Sequence, residues 1–151
     1  MEYKLRPVKA SDVDILYNWV NDIDVRRNSF SQKKISYEEH CKWFCEKIND
    51  SSTELYILEN GETNIGLIRL EFNDDKILIS YSIMREERGK GYGEKIILMA
   101  ENLLKKEHSS QKYIMLAKVK HGNIASRRVF AKLGFAEAEE NGYLIYRKSL
   151  C

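Results

Sequence analysis

Between residue 83 and residue 93 the chain reads Ile-Met-Arg-Glu-Glu-Arg-Gly-Lys-Gly-Tyr-Gly. This stretch follows an apolar run typical of a strand and precedes a long segment with helical periodicity. Its glycines let the backbone approach a ligand closely and leave several N–H groups pointing at one place. The amino terminus of the following helix adds a positive partial charge. The stretch therefore predicts a turn that binds an anion such as a pyrophosphate, with Arg88 and Lys90 adding charge around it.

Two common phosphate-binding motifs are absent from this turn. A Walker loop needs Gly-Lys followed by Ser or Thr, whereas Lys90 is followed by Gly91. The glycine spacing is not that of a Rossmann turn either. On its own, the stretch is also compatible with a tight turn that carries solvated basic side chains.

The elements around the turn follow the order β-α-α-β-β-β-α-β-α-β. We expect Ser11 to cap a first helix, Ser36 and Glu39 to form a capping box for a second one, and the segment between these helices, 21–35, to be irregular. Strands are predicted at 3–8, 55–58, 65–72, 77–84 and 113–119, helices at 91–107 and 124–133, and one or two further strands in the tail to Lys148. This order indicates an α+β fold with a mixed, mostly antiparallel sheet.

Composition narrows the class of protein. The chain has 151 residues, of which 43% are apolar and 32% charged, with a net charge of +2. We expect a single domain over 1–151, no nucleic-acid partner and, without a signal peptide or membrane span, a cytoplasmic location. The cysteines, Cys41, Cys45 and Cys151, are expected to be reduced thiols, and no residue set predicts a metal site.

Two segments together resemble the GNAT family of acetyltransferases. Residues 88–93 match the family's [Gln/Arg]-x-x-Gly-x-[Gly/Ala] signature between the fourth strand and the third helix. Residues 123–135 are similar to its second signature, Asn-x-x-[Ser/Ala]-x-x-x-[Tyr/Phe]-x-x-x-Gly-Phe. The resemblance implies a GNAT fold, with a sheet of six to seven strands that splays between the fourth and fifth strands and about four flanking helices.

The resemblance also implies acetyl-CoA as co-substrate. Its pantetheine arm would enter the gap between the splayed strands as an extra strand, with a backbone N–H near Ile83 polarising the thioester carbonyl. Asn123 is expected to contact the cofactor, to cap its helix, or both. The cofactor-binding residues expected from the two signatures are Ile83, Met84, Arg88, Gly89, Lys90, Gly91, Tyr92, Gly93, Asn123, Ser126 and Phe130.

The proton donor of the reaction does not follow the commonest family pattern. Direct attack of an amine on the thioester needs a proton for the departing thiolate. The position where many members carry a donating Tyr is Phe130, and the position of a frequent acidic residue on the fourth strand is Leu78. The candidate donors that remain are Tyr81, Tyr143 and Tyr146. His40 could accept a proton, although a surface or capping role suits it as well.

The acceptor region resembles enzymes of bacterial surface-sugar synthesis. Residues 19–30 and 35–44 are similar to the W-x-N-D…V-R-x-x-S-F…I-S-x-E-E-H-x-x-W-F pattern of acetyltransferases that act on nucleotide-linked amino-sugars, such as pseudaminic-acid precursors. We therefore expect a small-molecule amine as acceptor, with Arg26 and Arg27 meeting a diphosphate and Asn21 and Asp22 binding hydroxyls. The expected acceptor-binding residues are Asn21, Asp22, Arg26, Ser29, Phe30 and His40.

Other interpretations remain open at this point. The acceptor could be a protein N-terminus or a lysine, as in ribosomal-protein acetyltransferases. The chain could also be a CoA-binding module without catalysis, because the usual acid and base positions are changed. Pairing of two chains into a homodimer is possible.

Overall fold

The computed structural model describes residues 2–150; Met1 and Cys151 lie outside them. It contains a seven-stranded sheet and five α-helices. The strands are β1 (Tyr3–Pro7), β2 (Thr53–Asn60), β3 (Thr63–Asn73), β4 (Lys76–Ile83), β5 (Tyr113–Val119), β6 (Ala136–Glu140) and β7 (Tyr143–Leu150). The helices are α1 (Val13–Val20), α2 (Ile23–Asn28), α3 (Tyr37–Ile48), α4 (Tyr92–Glu107) and α5 (Ile124–Lys132). Single 3₁₀ turns lie at Ala10–Asp12 and Arg85–Glu87.

The sheet is mixed, and its order is β1-β2-β3-β4-β5-β7-β6. Each neighbouring pair is antiparallel except β4 and β5, which are parallel. The predicted fold class is therefore confirmed. The helix α2 raises the helix number from about four to five, because the segment 21–35, expected to be irregular, contains it.

The sheet divides between β4 and β5. These strands pair over three residues each, Lys76–Leu78 with Ile114–Leu116. Beyond Leu78, β4 continues to Ile83 and β5 continues to Val119 without pairing with each other. Because the backbone groups on the facing edges lack a partner strand there, the gap can accept an extended chain from outside.

Hydrophobic side chains pack on both faces of the sheet. The larger cluster joins α4 to the buried face of β3, β4, β5 and β7, with Ile68, Ile77 and Ile97 fully buried. A smaller cluster of Leu16, Phe44 and Ile57 holds α1 and α3 against the other face. The two faces of the sheet are thus covered by different helices.

The helix starts agree with the sequence in part. Ser36 caps α3, because its Oγ accepts the N–H of Glu39 at 3.1 Å, so this cap is confirmed. The reciprocal bond of a capping box is replaced, because the Glu39 carboxylate accepts from the Ser36 hydroxyl at 3.0 Å. The prediction that Ser11 caps the first helix was wrong. The chain first forms a 3₁₀ turn, and Asp12 fixes that turn because its carboxylate accepts the Lys9 N–H at 2.8 Å and two bonds from Arg6. Cys41 and Cys45 are both free and both belong to α3.

Candidate active site

The predicted glycine-rich stretch forms the entry to α4, and its residues 88–93 are named the glycine turn. Gly89 and Gly91 have φ values of 78° and 83°, a left-handed conformation that a side chain would strain, and Gly91 is the residue before the helix. The first backbone bond of α4 is donated by Lys95 to Gly91. Among residues 2–150, no hydrogen bond is donated by the N–H groups from Gly89 to Glu94, so these six donors are available to an anion.

The basic side chains of the glycine turn are held by carboxylates. The Arg88 guanidinium donates to the Ile83 carbonyl at 2.9 Å, to Asp22 at 2.9 Å and to Asp24 at 3.2 Å. Lys90 donates to Glu87 at 2.9 Å. The donors of Arg88 thus point to the end of β4 and to α2, and its contribution of charge around a phosphate stays a prediction.

Tyr81 lies between α4 and α5, where both helices approach β4. Its hydroxyl is 2.9 Å from the Ser126 Oγ, and its ring is 6.0 Å from that of Phe130. A Cβ placed on Gly93 would lie 3.3 Å from the Tyr81 hydroxyl, so glycine at this position lets α4 pass close to the ring. Burial raises the pKa of Tyr81 above its usual value, and the hydrogen bond to Ser126 offsets this in part.

Phe130 and Tyr146 form a stacked pair in the core. Their ring centroids are 5.4 Å apart with 22° between the planes, and the Tyr146 side chain is fully buried. The Tyr146 hydroxyl donates to Glu137 Oε1 at 2.6 Å. Burial, followed by this bond to a carboxylate, raises the pKa of Tyr146. The Tyr146 hydroxyl is thus committed to a partner on β6.

Asn123 and Tyr143, two residues expected at the site, both make structural contacts. Asn123 caps α5, with its Oδ1 accepting the Ser126 N–H at 3.2 Å, so the N-cap interpretation is confirmed. A contact of Asn123 with the cofactor stays a prediction. Tyr143 meets Phe30 edge to face at 5.3 Å, with the Lys118 ammonium 5.6 Å from its ring. These contacts bring residues of β5, β7 and the segment 21–35 together.

Residues 21–35, named the acceptor segment, are held by their own side chains. Asn21 donates to the Ile35 carbonyl and accepts the Ile35 N–H, each at 2.8 Å. Arg26 donates to the carbonyls of Val20, Ser31 and Lys33 and to the Ser29 Oγ at 2.7–3.3 Å. Both side chains thus close the segment, and contacts of Arg26 with a diphosphate and of Asn21 with hydroxyls stay predictions.

His40 lies away from the glycine turn. It is 2% exposed, its Nε2 contacts the Val13 carbonyl at 2.9 Å, and its ring packs beside those of Tyr17, Trp43 and Phe44. Burial lowers the pKa of His40 below its ordinary value. His40 is thus a core residue between α1 and α3, and the structure does not bring its side chain together with the other predicted catalytic residues.

A cavity of about 350 Å³ opens on the α1 side of β4 at its carboxyl end. It is lined by Ile15, Asn18, Trp19, Asp22, Val25, Ser82, Ile83, Met84, Arg85, Glu86 and Arg88. Sequence reasoning missed Asn18, Ser82, Arg85 and Glu86 as lining residues. Alternation along β4 indicates the position of Ser82, because the Tyr81 side chain packs in the larger cluster and the next residue faces the opposite side of the sheet.

A separate group of metal-type side chains lies at the other end of α4. Glu54, Glu107 and His108 each offer one ligand atom, and these atoms are within 4.8 Å of one another. The group is about 16 residues along α4 from the glycine turn, or roughly 24 Å at 1.5 Å per helical residue. The absence of a metal cofactor from the acetyl-transfer site stays a prediction.

A family model matches most of the chain, including the glycine turn and the strands on both sides of it. The model for the acetyltransferase (GNAT) domain covers residues 3–136. The chain belongs to the GNAT acetyltransferase family. The predicted GNAT membership and N-acetyltransferase class, with acetyl-CoA as donor, are thereby confirmed. No curated protein sequence matches the chain.

Solved structures share the GNAT fold over almost the whole chain. A domain from Methanocaldococcus jannaschii DSM 2661 superposes with a TM-score of 0.84 at 22% identity, covering 98% of both chains. Spermidine N-acetyltransferase from Vibrio cholerae, in complex with CoA and spermine, superposes with a TM-score of 0.81 at 19% identity, covering 97% of this chain and 94% of that one. The ribosomal L7/L12 alpha-N-protein acetyltransferase RimL, in complex with CoA, superposes with a TM-score of 0.80 at 17% identity. The match covers 97% of this chain and 93% of that one. Likeness at identities of 17–22% establishes the shared fold alone.

No helix within residues 2–150 combines the length and the apolar character that crossing a bilayer requires.

Proposed function

We propose that this GNAT acetyltransferase binds acetyl-CoA in the gap between β4 and β5 and acetylates an amine that enters through the cavity beside α1. The observation that carries the proposal is the end of β4–β5 pairing at Leu78 and Leu116. The glycine turn lies at the end of the same strand, and the cavity opens at that end as well. Donor and acceptor would thus reach the gap from different faces of the sheet.

The backbone edge of β4 supports this placement of the cofactor. The Met84 N–H donates to Ile65 of β3, so in the antiparallel register every second residue of β4 bonds to β3. The Asp75 carbonyl accepts from Ile114, which places the odd-numbered residues on the β5 side. The N–H groups of Tyr81 and Ile83 therefore point into the gap, where they can bind the pantetheine arm and polarise the thioester carbonyl.

Tyr81 is the donor that we favour among the three tyrosines. The amine nitrogen attacks the thioester carbonyl carbon, the C–S bond breaks, and the thiolate takes the Tyr81 hydroxyl proton while the amine proton leaves through water. A neutral Tyr81 suits this step, because burial raises its pKa and keeps the proton on the hydroxyl at neutral pH. Ser126, at 2.9 Å, holds the hydroxyl in place and can return a proton to it.

Basic side chains on the outer side of the acceptor segment suit an acceptor that carries an anionic group. Asp22 and Asp24 are paired with Arg85 and Arg88, so their charge is already compensated. Lys120 donates to the carbonyls of Arg27 and Ser29, which places another ammonium at this segment. A diphosphate would be attracted to Lys120 and Arg27 on this outer side, whereas Glu86, which lines the cavity and forms no ion pair among residues 2–150, suits the ammonium of the acceptor.

We therefore propose a nucleotide-linked amino-sugar as acceptor. The sugar ring would enter the cavity, where Trp19 offers an apolar face and Asn18 and Ser82 offer hydrogen bonds. A diphosphate would lie outside, near Arg27, whose side chain is 66% exposed and pairs only at the surface with Asp24, at 3.2 Å. In this arrangement Arg26 supports the acceptor segment and Phe30, 59% exposed beside Tyr143, borders the entrance. A cytoplasmic location and a homodimer remain predictions.

The test is mass-spectrometric detection of acetyl transfer from acetyl-CoA to a mixed panel. The panel holds nucleotide-linked 4-amino-sugars, aminoglycosides, spermidine and peptides with free N-termini. Selective acetylation of the nucleotide sugars supports the proposal. Acetylation of spermidine or of the peptides instead would overturn the acceptor assignment and leave the cofactor site in place. CoA binding with no product from any member would favour a CoA-binding module without catalysis.

A further inference from the structure

We infer that Asp22 is a positioning residue that couples the acceptor segment to the glycine turn through Arg88. This inference rests on the proposed function and deepens it. The Asp22 carboxylate makes five close contacts. Its Oδ1 accepts the N–H groups of Asp24 and Val25 and the Arg88 Nη2, at 2.9–3.2 Å. Its Oδ2 accepts the Nε and Nη2 of Arg85, each at 3.0 Å.

The Asp22 side chain is 13% exposed, so this ion pair is shielded from solvent more than most surface pairs. Burial alone would raise the pKa of Asp22, but the bonds from Arg88 and from the Val25 N–H outweigh it and hold the pKa below its usual value. Asp22 is therefore ionised at neutral pH and can hold both guanidinium groups. A helix of six residues such as α2 is not stable alone, so its position depends on contacts of this kind.

Arg88 carries the coupling to the cofactor site. Its backbone precedes Gly89, and its Nε donates to the Ile83 carbonyl at 2.9 Å. One guanidinium thus joins the carboxyl end of β4, the start of the glycine turn and the amino end of α2. If α2 shifts, the guanidinium must shift or lose its bonds, and the free N–H groups of the turn shift with it.

This arrangement leads to a specific thermodynamic expectation. Binding of CoA orders the glycine turn and thereby stabilises α2, so CoA should increase acceptor affinity and, reciprocally, the acceptor should increase CoA affinity. Loss of the Asp22 charge should weaken CoA binding even though Asp22 is not expected to touch the cofactor. The contrary arrangement, in which Asp22 competes with a phosphate for Arg88, predicts that loss of the charge tightens CoA binding.

The variant Asp22→Asn separates the ion pair from the helix cap. Asn and Asp are equally good N-cap residues, so the bonds from Asp24 and Val25 can persist, while the charge that holds Arg85 and Arg88 is removed. The matched control is Glu71→Gln. Glu71 also pairs with an arginine, Arg69, at 2.8 Å, and it lies opposite Leu78, away from the glycine turn.

Isothermal titration with CoA measures the effect without relying on turnover. We expect D22N to weaken CoA binding about tenfold, to lose most of the mutual enhancement between CoA and acceptor, and to fall little in kcat at saturation. E71Q should bind CoA as the wild type does. In an Arg88→Gln background, D22N should add little, because the partner is already absent. Asp24→Asn, which removes a more exposed partner of Arg88, should act in the same direction but less.

The outcomes distinguish this inference from the proposed function. If the wild type binds no CoA, the proposed function itself fails. If the wild type binds CoA and D22N binds it equally well or more tightly, the coupling through Asp22 is wrong. If D22N does not fold, the D24N and R88Q variants test the inference instead. Unchanged CoA affinity in D24N would overturn it. Unchanged mutual enhancement between CoA and the acceptor in R88Q would overturn it as well.

Discussion

The hydroxyl groups of Tyr81 and Tyr146 are each held by a hydrogen bond, but to partners of different charge. Tyr146 must donate to the Glu137 carboxylate, whereas Tyr81 faces the Ser126 hydroxyl, which can act as the donor and leave the Tyr81 proton free. We expect Tyr81→Phe to lower kcat about 100-fold with little change in CoA affinity, since a general acid contributes roughly that much or more. Steady-state kinetics together with CoA titration measures both.

Tyr146→Phe and Tyr143→Phe serve as the comparison for Tyr81. Each removes one hydroxyl from the same sheet, and Tyr146→Phe also leaves Glu137 without its donor. Both should keep kcat within about tenfold of the wild type, with Tyr146→Phe less stable. Wild-type kcat in Tyr81→Phe would show that the proton comes from elsewhere, and unchanged turnover in all three variants would rule out every one of these tyrosines as the donor.

His40 makes stability depend on pH. Because burial lowers its pKa below the ordinary value near 6.5, the folded protein keeps the ring neutral while the unfolded chain binds a proton. The contribution of the neutral His40 ring to the free energy of unfolding is therefore fully present above pH 6.5. It is lost as the pH falls from 6.5 toward the pKa of His40 in the folded protein. We expect the melting temperature to fall between pH 7 and pH 5, and His40→Gln to flatten that fall, as differential scanning fluorimetry measures.

The control for His40 is His121→Gln. His121 lies on the surface beside Glu139 at 2.9 Å, with 46% of its side chain exposed. This variant should leave the slope between pH 7 and pH 5 close to that of the wild type. An unchanged slope in His40→Gln would mean that other groups set the pH dependence in this range.

At the level of single residues, the sequence shows which side chains can bind a ligand but not which of them are already used. Arg26 and Asn21 carry the chemistry expected of acceptor-binding groups, and both bond to carbonyls of their own segment instead. A loop that lacks regular structure must satisfy its backbone groups with side chains, and polar residues within it are the nearest donors. Asp22, in contrast, lines the cavity, where it caps α2 and also accepts a hydrogen bond from Arg88.

At the level of elements, the end of β4 is fixed by Gly66 of β3. A Cβ at this position would lie 2.5 Å from the Ser82 carbonyl oxygen and 2.8 Å from the Ile83 Cδ1. Backbone cannot give way as a flexible side chain does, so β4 would have to move where it carries the N–H groups of the gap. We expect Gly66→Ala to destabilise the fold by about 2 kcal/mol and to weaken CoA binding.

Thermal unfolding and CoA titration test the Gly66 prediction, with Gly61→Ala as control. Gly61 lies in the β2–β3 turn, and its left-handed φ of 62° makes alanine strained there, although a Cβ would meet no atom within 4 Å. Both variants should melt lower, but Gly61→Ala should keep wild-type CoA affinity. Equal CoA affinity in Gly66→Ala and the wild type would contradict the role of Gly66 in placing β4.

The elements with the clearest sequence signals were predicted well. Strand β5 has the predicted bounds, and α4 begins one residue after the predicted start, because a left-handed Gly91 is the natural residue before the helix. Helix α2 was missed. It has six residues, too few for a periodic pattern, and its clearest local signal is Asp22 as a cap.

At the level of the whole molecule, the separation of β4 from β5 was predicted from the resemblance and not from any local pattern. Strand pairing depends on residues far apart in sequence, here Leu78 and Leu116, so periodicity within one strand cannot show where pairing stops. The structure adds that the acceptor segment spans this separation. The end nearest β4, residues 22–24, is held by Arg85 and Arg88, and the end nearest β5, residues 27–30, is held by Lys120 after β5 and Tyr143 of β7.

The two ends of the acceptor segment should therefore respond differently when loosened. Lys120→Met keeps the length of the side chain but removes its bonds to the carbonyls of Arg27 and Ser29, at 3.0 and 3.2 Å. We expect the acceptor KM to rise about tenfold and the amides of residues 27–30 to exchange hydrogen faster. The CoA affinity should stay at the wild-type value, because Arg88 and the glycine turn keep their contacts with Asp22.

Hydrogen exchange with and without CoA measures the amides, while steady-state kinetics and CoA titration measure the acceptor KM and the CoA affinity. Lys112→Met is the control for loss of one positive charge. Lys112 is exposed just before β5, at the opposite end of that strand from Lys120. Together with Asp22→Asn, the Lys120 variant tests whether the segment transmits between its ends. Weakened acceptor binding without weakened CoA binding would show that the β5 end serves the acceptor alone. Equal weakening of both ligands would mean that the segment moves as one body and that its contact with Arg88 depends on both ends.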